Sequence, residues 1–382
     1  MSRPGAHAGR AVAAWSAIGL AVLVGPYYLD EFWLQLGVTV AAAGVGAIGL
    51  TLLTGTAGQL SLAHGFFLGV GAVTYCVLAA PAGGDLAGLG LPAPVAALAG
   101  VVLAGLAGLA FSPIAARLRH IYLGIASIAL VFLGEHVLNV AEPLTGGFNG
   151  RLTPDLVGDT VIVVADVPFG KYEKLWYVGG VTLVLAAVYA RNLVAGRVGR
   201  ALVLVRDSEP AAAAVGIHVQ SYKALAFVIS SMYAGLAGVL NAVAIGSIAP
   251  QSFALDVSVL YLVMVVIGGL GSIGGAVFGA AVVTALPVLL QEYASDLPFL
   301  AQPGSGGITA GHAARYTFGI AVIAVVLVRA TGTKRLRFRQ TPPRSPHEQH
   351  QPPAGGRPGG DAQPGPERVQ REGQPGELRL DR

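Results

Sequence analysis

The chain has 382 residues, of which 54% are hydrophobic and only 12% charged. Soluble domains carry about 25% charged residues, so an ordinary water-soluble globule is excluded, and a single cysteine excludes an internal disulfide framework or a cysteine-based zinc site. The formal charge of +4 does not mark a nucleic-acid binder, because the basic residues stand in short clusters between apolar blocks, where topology signals belong.

A helix crossing the roughly 30 Å hydrocarbon layer needs about 20 apolar residues. That yardstick predicts spans over 11–29, 33–53, 65–80, 92–111, 121–139, 175–191, 223–245, 257–270, 274–290 and 313–329, an all-α polytopic bundle of about ten transmembrane helices within residues 1–335. The first apolar stretch runs into Gly25-Pro26 with no clear small-residue cleavage site, so it reads as a retained helix and not a signal peptide. Cys76 falls inside an apolar block and reads as packing.

Between the second and third spans lies a polar, glycine-rich stretch, Gly55-Thr-Ala-Gly-Gln-Leu-Ser-Leu-Ala-His-Gly65. Gly58 suits a helix break, and Gly65 with Gly69 has the small-xxx-small spacing that lets helices approach closely. Gln59, Ser61 and His64 fit packing less well, since polar groups at membrane depth must find partners. No second ligand stands at a workable spacing from His64, so no metal site is expected, and Ser61 lacks the base and orienting group of a nucleophile. No catalytic set is read anywhere.

Residues 139–176 form the one sizeable external loop, in which the β-branched run Thr160–Val164 predicts a short strand. The next connection, 192–222, contains Asp207-Ser208-Glu209-Pro210 before an alanine run, which predicts a short helix lying outside the membrane and stopped at Gly216. The stretch 257–290 is too long for one span, and Gly268-Gly269-Leu270-Gly271-Ser272-Ile273-Gly274-Gly275 divides it into discontinuous segments, with Gly275 and Gly279 again at close-packing spacing. Paired glycine-interrupted segments in two halves of a chain are the pattern of broken helices around a transport site. Residues 340–382, rich in Pro, Gly, Gln and Arg, predict a disordered cytoplasmic tail.

Arg3, Arg10, Arg117, Arg119, Arg191, Arg197, Arg200, Arg206, Lys223, Lys334, Arg335, Arg337 and Arg339 fall on one side of this topology. Arg151, Lys171 and Lys174 fall on the other, with Arg315 opening the last span. The positive-inside rule therefore predicts both termini in the cytoplasm. No G-x-x-x-x-G-K-[ST] phosphate loop occurs, and no span carries a mid-depth carboxylate, Glu135 and His136 lying near an external end. Ion-coupled carriers usually place such groups inside the bundle; their scarcity leaves an ion-driven carrier as the remote alternative and points to energy supplied by another subunit.

The motifs G-x-A-G-Q-L-S-L-A-H-G-F-F (55–67), Y-L-G-I-A-S-I-A-L (122–130), L-T-G-G-F-N-G (144–150), G-R-A-L-V-L-V-R-D-S-E-P-A-A-A-A-V-G-I (199–217), Y-K-A-L-A-F-V-I-S (222–230), A-G-L-A-G (234–238) and G-G-L-G-S-I-G-G (268–275) closely resemble the LivM-type permease subunits of branched-chain amino-acid ABC importers. Ala63 stands where that family usually has Gly, and Val73 where Tyr is common. The resemblance implies a bacterial inner-membrane permease that moves Leu, Ile or Val inward, or urea or short-chain amides in the alternative. It also implies a homologous LivH-type permease, two cytoplasmic ATPase subunits that use the ATP and Mg, and a periplasmic binding protein as partners. It makes 199–217 the coupling segment, with Arg200, Arg206, Glu209 and Gly216 at the ATPase interface. The 145–150 loop would face the binding protein, and Gln59, Ser61 and His64 are the candidates to line the substrate path. No cofactor is expected on this chain.

Overall fold

The computed structural model describes residues 24–82, 86–118, 121–158, 162–164, 167–293, 313–324 and 327. Most of the predicted first span and the whole predicted tail lie outside these residues; the described end of that span, Gly25–Tyr27, is a 3-10 turn opened by Pro26.

The main elements are helices. α1 spans Glu31–Leu50 and continues as a π-turn over Thr51–Thr56. After it come α2 (His64–Ala79), α3 (Ala93–Arg117), α4 (Ile121–Val140) and α5 (Lys171–Ala195). Next are α6 (Arg197–Asp207), α7 (Glu209–Ala214), α8 (Val219–Ile245), α9 (Leu255–Gly268), α10 (Ile273–Glu292) and α11 (Ala313–Ala324). Among the described residues seven segments are long and apolar enough to cross a membrane: Glu31–Thr56, α3, α4, α5, α8, Pro250–Gly268 and α10. α2 and α11 are shorter apolar helices. This is a multi-pass membrane protein with an all-α bundle.

The surface is inverted relative to a soluble protein. Leu98, Val102, Leu106 and Leu109 on α3 and Tyr122, Ile125, Phe132 and Leu133 on α4 are exposed, a distribution that suits hydrocarbon and not water. α8 is the central helix and packs against α1, α2 and α3. Its closeness to α2 depends on glycine: a Cβ at Gly71 would stand 2.3 Å from the Gly235 carbonyl oxygen, and one at Gly238 would stand 2.1 Å from that of Leu68. Backbone, not a pliable side chain, fills both places. Gly71→Val should therefore overpack the α2–α8 contact at a cost of about 1–3 kcal/mol, read as a fall of several degrees in the unfolding midpoint of the purified protein in detergent.

Apolar surroundings require each backbone group to find a partner within the protein. Pro113 interrupts α3 and cannot bond the Leu109 carbonyl; Ser112 Oγ donates to that carbonyl instead, at 2.7 Å. On the connection between α4 and α5, the strand Ile162–Val164 (β2) pairs antiparallel with Val167–Phe169 (β3), while Arg151–Leu152 (β1) pairs with Ser247–Ile248 (β4) beyond α8. Arg151 is no simple loop charge: it is buried, and its Nη1 donates to the carbonyls of Leu144 at 2.7 Å and Ala87 at 3.1 Å. It fastens the 144–150 loop, on which Phe148 stands 82% exposed.

The segment 192–222 departs from the single short helix expected. It holds two helices, because Gly199–Arg206 is itself amphipathic and buries Ala201, Leu202 and Val205. Ser208 caps the second, accepting from Ala211 N at 3.3 Å, and Gly216 ends it with φ +83°.

Candidate functional site

The site is built on the two interruptions in the helices. At the first, α1 loosens into the π-turn: Ala57 N donates to Leu52 O at 3.1 Å and Gln59 N to Leu53 O at 3.0 Å. Gly58 adopts φ +68°, and residues 57–63 run without helix before α2 starts at His64. Groups on three other helices, two serine hydroxyls and one backbone carbonyl, bond this stretch and the start of α2. Leu62 N donates to Ser127 Oγ of α4 at 2.8 Å, Gly65 N to Ser258 Oγ of α9 at 2.8 Å, and Gln59 Nε2 to the Lys223 carbonyl of α8 at 3.2 Å.

The residues proposed from sequence for the substrate path each have their own surroundings. Gln59, Ser61 and His64 are all buried. Ser61 Oγ accepts from Ala63 N at 3.2 Å. The His64 ring lies against Tyr261 with centroids 4.7 Å apart. His64 Nε2 and Gln59 Oε1 have no hydrogen-bond partner among the described residues, as do Thr51 Oγ1, Thr54 Oγ1 and Thr284 Oγ1. Among the described residues, no group of three or more His, Cys, Asp or Glu is placed to hold a metal ion.

At the second interruption, α9 ends at Gly268 and α10 begins at Ile273, with Gly269 at φ +102° and Gly271 at φ +83°. Ser272 caps α10 through Gly275 N at 3.1 Å. The two helices then pack backbone on backbone: Cβ atoms at Gly268 and Gly275 would stand 1.9 and 2.0 Å from each other's carbonyl oxygens, and one at Gly279 would stand 2.0 Å from that of Met264. A Cβ at Gly65 would stand 2.8 Å from the Phe253 carbonyl oxygen and one at Gly69 would stand 3.1 Å from the Phe253 ring, whereas nothing lies within 4 Å of a Cβ at Gly274.

The two interruptions touch. A Cβ at Gly55 would stand 2.3 Å from Gly271 N and 2.7 Å from Gly271 Cα. On the other side of the π-turn lies the α6–α7 pair. Arg206 Nη1 donates to Gly55 O at 2.8 Å, and the arginine stem crosses Gly58, where a Cβ would meet Arg206 Cγ at 2.4 Å. Glu209 Oε1 pairs with Lys223 Nζ at 2.6 Å, the lysine side chain being 8% exposed.

The four coupling candidates therefore face different ways. Arg206 and Glu209 turn inward, while Arg200 Nη1 folds back on the Ala195 carbonyl at 3.0 Å and Gly216 is exposed. Pro210, Ala211, Ala213, Ala214 and Val215 make the outer tip, Val215 at 68% exposure. Lys223, Ser127 and Ser258 were missed in the sequence, where a lone Lys or Ser at a helix start or mid-span carries no signal of its distant partner.

A bundle of apolar spans with two abutting glycine interruptions and a helix pair tied to one of them defines a multi-pass membrane protein. The chain belongs to the branched-chain amino acid transport system / permease component family, which matches residues 32–328. It is 29% identical over 268 residues to the high-affinity branched-chain amino acid transport system permease protein LivM of Salmonella typhimurium, covering 64% of this chain and 60% of that relative. The corresponding LivH of Escherichia coli is 27% identical over 280 residues, 70% of this chain and 88% of LivH. A probable branched-chain amino acid transport permease protein LivM of Methanocaldococcus jannaschii is 26% identical over 291 residues, 71% and 78% of the two chains. The chain thus spans about three fifths of the length of the enterobacterial LivM relatives. No solved structure matches it.

Proposed function

We propose that this chain is the non-catalytic permease subunit of an ATP-binding-cassette importer that moves Leu, Ile or Val inward across a bacterial inner membrane by alternating access. Both termini then face the cytoplasm, and the α6–α7 pair lies on that side. Its partners are a LivH-type permease, two ATPase subunits that bind the ATP and Mg, and an external binding protein that meets the loop carrying Phe148. The observation that carries the reading is the α6–α7 pair. It lies outside the spanning segments, presents the small apolar tip Pro210–Val215, and joins the bundle through Glu209–Lys223 and Arg206–Gly55. Such an element can transmit force only if its interaction with a partner differs between two states, which a nucleotide-driven partner supplies.

The test is uptake of labelled leucine into vesicles. The assembled transporter with ATP and the binding protein should accumulate it, and the chain alone under a proton or sodium gradient should not. Gradient-driven uptake by the chain alone would overturn the reading; accumulation of urea in place of leucine would reassign the cargo.

A further inference from the structure

The family resemblance places Arg206 at an ATPase interface; its side chain is 41% exposed, yet its guanidinium already has partners within this chain. Asp207 Oδ1 accepts from Nε at 3.1 Å and lies 3.0 Å from Nη2, leaving Nη1 aimed at the Gly55 carbonyl, 2.8 Å away. That carbonyl belongs to the π-turn, where the bonding has slipped from the usual four-residue step to five at Ala57 and six at Gln59. Gly55 lies in the last turn before the chain leaves the helix, where carbonyls have no partner within the helix and need outside donors. Gly58 is bare where the arginine stem crosses it and sits at φ +68°, while Gly55 is bare where Gly271 meets it. A second tie runs beside the first: Glu209 holds the Lys223 ammonium while the Lys223 carbonyl holds Gln59 Nε2. A small cavity of about 40 Å³ separates the two ties, lined by Gly58, Gln59, Arg206, Glu209 and Lys223.

We propose that Arg206 is a positioning residue that holds the π-turn at 51–56 in its loosened form, so that displacement of the α6–α7 pair rewinds the end of α1 and separates Gly55 from Gly271. The inference rests on the permease reading. If the pair moves by about 1 Å or more, the 2.8 Å bond to Gly55 O stretches beyond useful length. The carbonyl of buried Gly55 then lacks its donor, and recovery of ordinary α bonding satisfies it. Removing one residue's worth of slack rotates the chain beyond the turn by about 100°, which swings Gln59 off the Lys223 carbonyl. Both interruptions then shift together, because they share the Gly55–Gly271 contact.

The experiment places a reporter at Leu60, 38% exposed beside the interruption, as Leu60→Cys in a chain carrying Cys76→Ala, and measures its rate of maleimide labelling in the purified full chain. Arg206→Met should change that rate by about fivefold or more, the size expected when a local opening equilibrium is released. Arg206→Lys, which keeps a donor, should restore most of the parent rate, and Gln220→Ala, an exposed change at the start of α8, should leave it alone. Arg206→Ala, which also removes the donor, provides a second variant should Arg206→Met fail to fold, with a change in the same direction. An unchanged rate in whichever of the two donor-removing variants folds overturns the positioning role. Where the rate does change, ATP hydrolysis and uptake are compared in the reconstituted assembly. Hydrolysis near the parent rate with uptake reduced about tenfold or more supports the inference, whereas unaltered uptake per ATP would leave the turn's dependence on Arg206 standing and overturn the coupling reading beneath it.

Discussion

Glu209→Lys is expected to abolish ATP-driven uptake while leaving the protein inserted in the membrane at parent abundance. The Lys223 ammonium is almost enclosed, with 8% of its side chain exposed, and Glu209 stands 2.6 Å from it. Reversing the acid places two cations where one ion pair stood. Breaking a buried pair from one side costs about 3–5 kcal/mol; Glu209 keeps 29% of its side-chain surface, and solvent screening there favours the lower figure. About 3 kcal/mol is roughly a hundredfold in an equilibrium constant, enough to detach α7 from α8 without unfolding a bundle held by its spans. Deletion of 208–216 should give the same outcome by removing the Ser208 cap and the outer tip together. Uptake assays paired with quantified membrane fractions check both; normal ATP-dependent uptake by either variant removes the coupling assignment. Glu209→Lys combined with Lys223→Glu restores opposite charges and should recover part of the activity, which a merely misfolded variant would not.

Gly55→Val should have the second large effect, on stability and transport together. The space a side chain would need is taken by Gly271 N, Gly271 Cα and the Leu270 carbonyl carbon at 2.3, 2.7 and 3.2 Å. Every one of these is backbone, so no rotamer change makes room, and the two interruptions must part. Overpacking of this kind costs about 1–3 kcal/mol even where side chains can yield. We expect a lowered unfolding midpoint in detergent and uptake near background. Gly274→Ala is the matched control: it also falls in a glycine-rich motif, but nothing lies within 4 Å of its Cβ, so its stability should stay within about 0.5 kcal/mol of the parent. Equal effects of the two substitutions would show that glycine content, and not the Gly55–Gly271 contact, governs this region.

Much of the architecture is legible in the sequence, for local reasons. Apolar runs of spanning length mark themselves, and they fall as helices at 31–56, 93–117, 121–140, 171–195, 219–245 and 273–292. Gly269 and Gly271 mark the second interruption because their backbone angles suit little else, and the Ser208-Glu209-Pro210 run announces a helix start through the bonds it can make to its own next turn. The amphipathic helix α6 was missed because its burial is against the bundle end, which a reading tuned to long apolar blocks passes over.

What the sequence by itself determined was therefore the membrane class, seven of the ten expected spans as long apolar helices among the described residues, the places where helices stop and the family. The tertiary structure alone decided which of those places meet and which charges are spent inward. Gly55 touches Gly271, Arg206 bonds Gly55 across 151 residues, and Gln59 bonds Lys223 across 164. A helix cap or an apolar run involves neighbours along the chain, so composition and spacing record it. A donor pairing with a carbonyl from another helix leaves no trace in either partner's local sequence, because every residue offers the same carbonyl and only the packing of spans selects one.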